Sequence, residues 1–515
     1  MNLFFIAWRS IQQRGLASFL TMLSMALGVM MVVAVLSIHG VVSQSFRTNS
    51  SLGYNLIAGP KGGKLQLTLN TVFYLSQPGE PVPYEFFSEF LPRDMRDSAF
   101  KNSIRTHTND AVWDQLQTLS LLSGGGMPGP ESIAGVWGGE ALRNAQRRQL
   151  DLGRDGKYSQ FTALAIPVCL GDYFGQFRVV GTVPEMFTEL QFGPSADRHY
   201  EFAQGRNFEH WTSDHGFFEA VVGSAVAREM NVKLGDGISP AHGDPEGHGH
   251  DQKFTVVGIL KGSGTPNDRA VFVNIEGFYL MEDHAKPLTE DEASSAEAHV
   301  ASQPLYQKQV EPLPIEQREV SAILIRTANP FVVLSLPRII NEGPVAQCLT
   351  PIGEITQLFE TFVKPIQMLL LVLTGLICIV SGISILVSIY NSMSDRRHEI
   401  AVMRALGASR GTVMSIILVE SILLSLGGGA LGWFGGHALN AAASPYIEAR
   451  TGVSMSFFDL APPVESLELG ALGEIINKLS LELAIIPALL LLAMIVGLLP
   501  ALEAYRTDVA KSLGT

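Results

Sequence analysis

The chain has 515 residues, a formal net charge of −13 and 47% apolar residues, while charged residues make up only 17%. Soluble proteins average about 25% charged residues, so this composition predicts several membrane spans beside a large polar part. The acidic balance excludes a nucleic-acid-binding protein, which would carry a basic surface. Three cysteines exclude a disulfide-rich scaffold and a multi-cysteine zinc site.

A short amphipathic pattern opens the chain, in residues 1–15. Leu3, Phe4, Ala7 and Ile11 recur at helical spacing, which predicts a helix lying on the cytoplasmic surface of a membrane. An unstructured start is the alternative.

Four stretches are long and apolar enough to cross a hydrocarbon core, which takes about 20 residues. The first is too long for the apolar part of a signal peptide, about 7–15 residues, and no cleavage site of small residues follows it. The predicted transmembrane helices are residues 16–42, 362–390, 412–443 and 481–505. The predicted fold is a membrane protein with four transmembrane α-helices and a large mixed α/β extracytoplasmic domain, residues 43–361, inserted between helices 1 and 2.

The flanks of the predicted spans differ in charge. Residues 1–15, the loop 391–411 and the tail 506–515 together hold eight basic and three acidic residues, whereas the loop 444–480 is acidic. Because basic flanks stay on the cytoplasmic side, both termini and the loop 391–411 are predicted to be cytoplasmic. Residues 43–361 and the loop 444–480 then lie outside.

The extracytoplasmic domain is long enough for two subdomains with their own cores. Alternating or β-branched runs bounded by glycine and proline predict strands, and polar stretches without periodicity predict mobile loops near residues 123–150, 240–252 and 283–316. The predicted strands are Asn55–Ala58, Thr71–Leu75, Phe161–Val168, Phe177–Val183, Phe254–Leu260, Ala270–Asn274 and Val320–Thr327. The predicted helices are the second half of Ala220–Val232, Pro330–Asn341, and Gly353–Lys364, which is expected to run on into the second span.

The loop between the second and third spans has the most specific pattern. A short predicted helix opens at Arg396, and along it Ile400, Met403 and Leu406 form an apolar stripe. Gly407 suits the C-terminal stop of this helix, and the serine two residues on can cap the next helix. The pattern fits either a docking knob for another protein or an ordinary interfacial loop.

The third predicted span carries a carboxylate, Glu420, and overlapping small-residue spacings at Gly428, Gly432 and Gly436. A carboxylate facing lipid would cost about 2.5–3.5 kcal/mol, so Glu420 is expected to face protein or a cavity. It serves there either as a coupling contact or as a helix–helix hydrogen bond. The glycines let two helix backbones approach closely, within the chain or between two copies.

Histidines crowd the loop 240–252. His242, His248 and His250 stand near aspartates, and imidazole with carboxylate suits zinc or another transition metal. A solvated polar loop is the alternative. Outside this loop, Cys169 and Cys348 are predicted to lie in the same compartment, where they either pair or remain buried thiols.

The membrane part of the chain resembles the FtsX/MacB-type ABC transporter permeases. The matching residues are Asn391, Arg396, Arg397, Glu399, Ile400, Ala405, Leu406, Gly407, Ala408, Glu420, Leu499, Pro500, Ala501, Ala504, Tyr505 and Arg506. Outside the spans, the segments AQGRNF (203–208), VVGSAVAREMNVKLGD (221–236) and FTVVGIL (254–260) resemble the MacB-type periplasmic core domain. The resemblance is weak in residues 84–160 and 283–316.

This resemblance implies a non-catalytic permease subunit in the bacterial inner membrane, with its large domain in the periplasm. It implies that a separate cytoplasmic ABC ATPase docks on the loop, and that ATP hydrolysis moves the periplasmic domain (mechanotransmission) to export or relay a substrate. Further implied partners are a second permease copy in a homodimer and a periplasmic adaptor or enzyme. The implied docking residues are Arg396, Arg397, Glu399, Ile400, Met403, Leu406 and Gly407.

The sequence lacks the G-x-x-x-x-G-K-[S/T] phosphate loop of an ATPase. The nearest match, AGPKGGKL at residues 58–65, ends in Leu65, which has no hydroxyl for Mg²⁺. ATP and Mg²⁺ are therefore expected in the partner chain, and no cofactor is expected in this one apart from a metal at the histidine loop. Two alternatives stay open: a membrane-anchored regulator of a periplasmic hydrolase, as FtsX-like proteins are, and a metal-binding sensor built on the histidine loop.

Overall fold

The chain divides into a helical unit, residues 1–47 with 358–515, and an α/β unit, residues 48–357. The computed structural model describes residues 3–49, 53–75, 77, 79–104, 152–193, 198–243, 249–282, 284–288, 312–451, 456–458 and 481–506. The predicted loop 123–150 and the tail beyond residue 506 lie outside the described residues. So do most of the predicted loops 283–316 and 444–480.

The helical unit consists of an entry helix followed by four long apolar helices. Their bounds are Leu3–Gln13 for the entry helix, Gly15–Asn49 for the first apolar helix, Lys364–Ala405 for the second, Arg410–Thr451 for the third and Ile485–Arg506 for the fourth. A π-helical turn, Phe359–Val363, precedes the second, and a 3₁₀ turn, Leu481–Ala484, precedes the fourth. Each of the four contains a stretch long and apolar enough to cross a membrane, as the sequence predicts.

The third apolar helix lies at the centre of this unit, in contact with the entry helix and the fourth apolar helix. Along the entry helix, Ala7 and Ile11 are buried while Phe4 and Trp8 are exposed. The helix is therefore present, and Ala7 and Ile11 of the predicted apolar stripe face the protein while Phe4 of that stripe does not. The apolar core of the unit is formed by Ile11, Met25, Val29, Val33, Ile385, Ile389, Ile400, Val413, Ile417, Leu424, Leu489, Val496 and Ala501.

The α/β unit is built on one large mixed sheet. Its strands, with those of two small two-stranded sheets, are β1 (Leu56–Pro60), β2 (Val82–Pro83), β3 (Thr162–Phe174), β4 (Phe177–Thr182), β5 (Gln191–Phe192), β6 (Arg198–His199), β7 (Phe202–Gly205), β8 (Glu219–Val222), β9 (Gly237–Ile238), β10 (Ala241–His242), β11 (Phe254–Leu260), β12 (Ala270–Asn274), β13 (Glu319–Val320), β14 (Ala322–Thr327) and β15 (Ala346–Leu349).

The large sheet runs in the order β15-β1-β14-β3-β4-β12-β8-β11-β7, with β10 beside β3 and β9 beside β11. The pairs β12–β4 and β11–β8 are parallel, and the other pairs are antiparallel. The small sheets are β13–β2 and β5–β6.

Helices cover both faces of this sheet, so its central strands are apolar on both sides. In β12, Val271 and Val273 belong to one core, while Ala270 and Phe272 belong to the other. Such near-continuous apolar runs are typical of strands buried on both faces. The helices of the unit are α1 (Lys64–Phe73), α2 (Tyr84–Ser88), α3 (Arg93–Phe100), α4 (Glu185–Thr188), α5 (Ser224–Glu229), α6 (Ile275–Tyr279), α7 (Val332–Glu342) and α8 (Pro351–Leu358), with 3₁₀ turns at Ser159–Phe161, Pro266–Arg269 and Ile315–Gln317.

Most predicted strands are confirmed, but two expectations differ from the structure. The segment Thr71–Leu75 belongs largely to helix α1, because its apolar residues continue a helical face that buries Leu67 and Val72. The short helix predicted in the loop 391–411 is not a separate element. The second apolar helix continues without a break to Ala405, since residues 391–405 contain no glycine or proline.

Candidate functional site

The second apolar helix ends in a Schellman motif. Gly407 has φ +100°, its N–H donates to the carbonyl of Arg404 at 3.1 Å, and the Ala408 N–H donates to the carbonyl of Met403 at 3.0 Å. These two bonds satisfy carbonyls that a helix end leaves open, and only glycine adopts the left-handed conformation readily. Ser409 then caps the third apolar helix by accepting a hydrogen bond from the Thr412 N–H at 3.1 Å. Both predicted roles are confirmed.

The motif splits the predicted apolar stripe into an inner and an outer part. Ile400 is buried in the core of the helical unit and Met403 packs partly against it, whereas Leu406 is 83% exposed. Leu406 lies one residue past the helix, so the turn carries its side chain away from the stripe. Glu399 is exposed; the side chains of Arg396 and Arg397 lie outside the described part. A docking partner would therefore meet Leu406 and Gly407, and Ile400 would support them from below.

Glu420 is buried among three helices. Its carboxylate accepts hydrogen bonds from Ser10 Oγ at 2.9 Å and from Arg14 Nη1 at 3.1 Å. Arg14 also donates to the hydroxyl of Ser388 at 2.9 Å and to its backbone carbonyl. The network connects three places: the point where the entry helix meets the first apolar helix, the second apolar helix and the third apolar helix. Glu420 thus makes the helix–helix contact that the sequence offered as one of two readings.

The glycines of the third apolar helix face the first apolar helix of the same chain. A Cβ placed on Gly432 would lie 2.5 Å from the carbonyl oxygen of Ala26. A Cβ on Gly428 would lie 2.7 Å from Met25 Cβ, and one on Gly436 would lie 2.8 Å from Val33 Cβ. Real Cβ atoms do not approach other atoms this closely, so these positions require glycine. Of the two predicted uses, intramolecular packing is the one observed.

A second buried polar cluster in the helical unit has no counterpart in the sequence analysis. Glu482 accepts hydrogen bonds from Ser37 Oγ at 3.1 Å and Trp433 Nε1 at 3.3 Å, and it lies 2.9 Å from His437 Nε2. The His437 and Glu482 side chains are both buried. The sequence does hold a signal for this cluster, because His437 and Glu482 are ionisable residues at the ends of two long apolar runs, and such residues are rare in spans.

In the α/β unit, four side chains converge that could hold a metal ion: Asp172, His242, His250 and His284. One ligand atom from each lies within 4.8 Å of the others. Asp172 Oδ1 lies 3.3 Å from His242 Nδ1, and Asp172 Oδ2 lies 3.4 Å from His250 Nε2 and 3.1 Å from His284 Nε2. Of the predicted ligands, the structure brings His242 and His250 together, while His248 lies outside the described residues.

Strand β3 aims Asp172 at this cluster through a β-bulge. The register between β3 and β4 shifts between Leu170 and Tyr173, so β3 has one residue more than its partner at this point. Bulges redirect side chains in this way. Strand β10 pairs with β3 so that His242 stands directly opposite Asp172, and an antiparallel bridge from Ala241 to Gly249 returns the chain at His250. Asp172 and His284 were not among the predicted ligands, although His284 is the next histidine after the loop, because both are far from the histidine loop in the chain.

The arginine of the segment AQGRNF, Arg206, has a structural partner. Arg206 donates to both oxygens of Glu219, at 2.9 and 2.6 Å, and His215 Nδ1 lies 3.1 Å from the same carboxylate. Burial raises the pKa of Glu219, but the hydrogen bonds from Arg206, His215 and the Glu209 amide outweigh it and hold the pKa below its usual value. This ion pair ties the edge near β7 to strand β8.

Cys169 and Cys348 are both buried free thiols. Cys169 lies in β3 and Cys348 in β15, and the strands β14 and β1 stand between them. At about 4.8 Å per strand the two are roughly 14 Å apart, well beyond the ~7 Å that a disulfide allows between Cα atoms. Burial raises the pKa of both thiols to about 12. Of the two predicted states, the buried thiols are observed.

Two family models match the chain. A MacB-like periplasmic core domain matches residues 18–301, more than half of the chain, and an FtsX-like permease C-terminal model matches residues 371–509. The first match covers most of the first apolar helix and most of the α/β unit, and the second covers most of the other three apolar helices.

Three curated relatives agree with these models. An ABC transporter permease of Methanocaldococcus jannaschii is 24% identical over 51% of this chain and 57% of its own. The permease YknZ of Bacillus subtilis is 33% identical over 18% of this chain and 22% of its own. The macrolide export ATP-binding/permease protein MacB of Rhodopirellula baltica is 28% identical over 25% of this chain and 19% of its own. The matches therefore span between about a fifth and rather over half of the relatives' lengths.

Proposed function

The chain belongs to the ABC transporter permeases with a MacB-like periplasmic core domain and an FtsX-like C-terminal part, and from this membership we propose that it is the non-catalytic membrane subunit of such a transporter. A separate cytoplasmic ATPase hydrolyses ATP, and the permease converts this into movement of its α/β unit to export or relay a substrate. The chain spans the bacterial inner membrane four times, and its α/β unit is inserted between the first two spans, in the periplasm.

The end of the second apolar helix carries the proposal. There the Schellman motif holds Leu406, 83% exposed, in the turn that joins the second and third apolar helices, and this turn has the basic flanks of a cytoplasmic loop. A large apolar side chain presented on a fixed backbone is suited to a pocket on a partner. Ile400, buried six residues before Leu406, ties the end of the second apolar helix to the core of the helical unit. Force applied at Leu406 therefore reaches the packed helices without first deforming a loose loop.

The first experiment is purification of the full chain from native membranes in mild detergent, with mass spectrometry of the proteins that come with it. We expect an ABC ATPase with the wild type and its loss with Leu406→Asp and Glu399→Lys. Phe331→Asp is the matched control, because Phe331 is also 83% exposed but lies at the start of helix α7 in the α/β unit.

Retention of the ATPase by Phe331→Asp and its loss in the loop variants supports the docking assignment. An ATPase that stays bound to Leu406→Asp, or that is equally lost from Phe331→Asp, contradicts it. ATP hydrolysis by the co-purified complex, compared with the ATPase alone, then reports whether the two chains are coupled.

A second copy of the permease is part of the proposal, as a homodimer. The small-residue spacings Gly428, Gly432 and Gly436 are occupied by the chain's own first apolar helix, so the contact between copies would use another surface. The second apolar helix is the least covered of the four and exposes a long row of large apolar side chains. Cysteine cross-linking between two copies of the chain would locate that contact. One variant carries the new cysteine at Val380, 60% exposed, and a comparison variant carries it at Gly375 in the same helix.

The identity of the external partner would distinguish between two functions, substrate transport and control of a periplasmic hydrolase. Both uses require the same ATPase and the same movement. Cross-linking of the α/β unit in intact cells distinguishes them, because an adaptor or outer-membrane channel supports export and a peptidoglycan hydrolase supports regulation.

A further inference from the structure

We propose that Asp172, His242, His250 and His284 form a binding site for one Zn²⁺ ion in the α/β unit. This inference goes beyond the transport function and stands independently of it. Three imidazoles and one carboxylate are the ligand types that zinc takes in proteins, and four protein ligands are the usual number for a structural zinc site.

The spacing of the four groups is close to that of tetrahedral coordination. Four ligands placed about 2.0–2.1 Å from zinc are separated from one another by roughly 3.3 Å. Asp172 Oδ2 lies 3.1 Å from His284 Nε2 and 3.4 Å from His250 Nε2, and Asp172 Oδ1 lies 3.3 Å from His242 Nδ1. One ligand atom from each of the four residues lies within 4.8 Å of the others. The side chains therefore need only small rotations to bring all four atoms to bonding distance of one ion.

Asp172 gives a second, independent indication. Its side chain is completely buried, and among the described residues neither of its oxygens accepts a hydrogen bond with good geometry. A buried carboxylate without such bonds is strongly destabilising. Its nearest polar groups are the three imidazole nitrogens, which are electron-pair donors when neutral, and the buried Arg178 guanidinium adds a further electrostatic attraction. A divalent cation among them would satisfy the carboxylate and the imidazoles together.

The tautomer of His284 is also suitable for binding a metal ion through Nε2. Its Nδ1 lies 2.8 Å from the backbone carbonyl oxygen of Glu282, which can only accept, so Nδ1 carries the proton. The Nε2 atom that faces Asp172 then has its lone pair available. Metal-binding histidines typically make this kind of hydrogen bond through the second ring nitrogen, which fixes the orientation of the ring.

The ligands come from three separate segments of the chain. Asp172 lies in β3, His242 is the last residue of β10, His250 follows it in the chain, and His284 follows helix α6. A bound ion would cross-link these segments in the folded state alone. Zinc therefore stabilises the α/β unit by mass action, because the unfolded chain does not hold the four groups together. Four protein ligands leave no open position, which favours a structural or sensing site over a catalytic one.

The test uses the full chain, purified in detergent, stripped with a chelator and desalted. After incubation with ZnCl₂ and a second desalting step, metal is counted by elemental mass spectrometry. We expect one zinc per wild-type chain, and a visible absorption spectrum typical of tetrahedral Co²⁺ when CoCl₂ replaces zinc. His284→Ala and Asp172→Asn should retain less than a tenth of the wild-type zinc.

His242→Ala guards against a simple folding failure, because this side chain is 62% exposed and its loss leaves the core intact. We expect it to fold as the wild type does and to bind zinc at least tenfold more weakly, with a smaller rise in the thermal unfolding temperature on addition of zinc. His210→Ala is the matched control: its side chain is 67% exposed and pairs with Glu185, away from the cluster. It should bind zinc as the wild type does.

Three results would overturn the assignment. The wild type retains no more zinc after desalting than His242→Ala does, or His210→Ala loses zinc to the same extent as the cluster variants. Alternatively, the wild type takes up Cu²⁺ with a tetragonal spectrum but shows no tetrahedral spectrum with Co²⁺, which would replace zinc by copper. None of these results depends on whether the chain binds an ATPase.

Discussion

The carboxylate of Glu420 accepts a hydrogen bond from the guanidinium of Arg14 at 3.1 Å, at the point where the entry helix gives way to the first apolar helix. Both groups are largely buried. The pair lies about ten residues into the third apolar helix, roughly 15 Å from the turn at Leu406 by helix rise. It therefore joins the entry helix to the same helix that begins at the proposed docking turn.

Breaking this pair should destabilise the helical unit. Glu420→Ala leaves the Arg14 charge without its carboxylate, which typically costs about 3–5 kcal/mol for a buried pair. We expect a lower thermal unfolding temperature of the full chain in detergent. Glu360→Gln is the comparison: Glu360 forms an exposed pair with Lys364, and such pairs contribute about 0.5 kcal/mol or less. Equal shifts for the two variants would contradict the network.

The close approach at Gly432 predicts intolerance of even one methyl group. In Gly432→Ala the new Cβ meets the Ala26 carbonyl oxygen at 2.5 Å, so the first and third apolar helices must separate. Overpacking of this kind costs about 1–3 kcal/mol. Gly375→Ala provides the control in the second apolar helix, because a Cβ there has no neighbour within 4 Å among the described residues. Thermal unfolding should drop for the first variant and not for the second.

The turn at Gly407 offers a test that separates backbone conformation from contact. A Cβ on Gly407 would have open space around it, so Gly407→Ala acts only through its φ of +100°, at a cost of about 1–2 kcal/mol. We expect a weakened helix stop and reduced retention of the ATPase. Gly411→Ala lies four residues on, in regular helix with only an ordinary contact to Ser409, and should retain the ATPase. If both variants behave alike, the Schellman motif has no part in docking.

The lowered pKa of Glu219 predicts that the folded protein loses stability in acid. Its pKa is lowered in the folded state relative to about 4.3 in an unfolded chain, so its contribution is complete above the unfolded pKa. That contribution is lost as the pH falls toward the folded pKa, where the carboxylate takes up a proton and its bond to Arg206 weakens. Between pH 7 and pH 3.5, urea unfolding should show a larger decrease for the wild type than for Glu219→Gln. Glu342→Gln, at an exposed position, should follow the wild type.

The two cysteines of the α/β unit should be inert until the protein unfolds. Both are buried and their pKa values are raised to about 12, so almost no thiolate is present at pH 8. We expect no labelling of Cys169 or Cys348 by iodoacetamide in the native chain and full labelling in 8 M urea, as read by peptide mass spectrometry. Full labelling in urea without a reductant also excludes a disulfide; protection there would contradict the free thiols.

Local features of the sequence were sufficient for much of this protein. Four apolar helices follow from length and hydropathy, and the strands β4, β11 and β12 follow from β-branched runs between glycine and proline. The helix stop at Gly407 follows from one residue type at a helix end. Each of these depends on neighbours in the chain, where residue preference and periodicity act directly.

Only the tertiary structure decided which distant residues meet. Asp172 reaches the histidines through a bulge and a strand pairing, and His284 joins them from beyond helix α6. Gly432 packs on the chain's own first apolar helix, and Ile400 turns inward while Leu406 does not. These outcomes depend on sheet order, helix packing and the direction of single side chains, which are set by contacts between segments far apart in sequence and leave no local pattern.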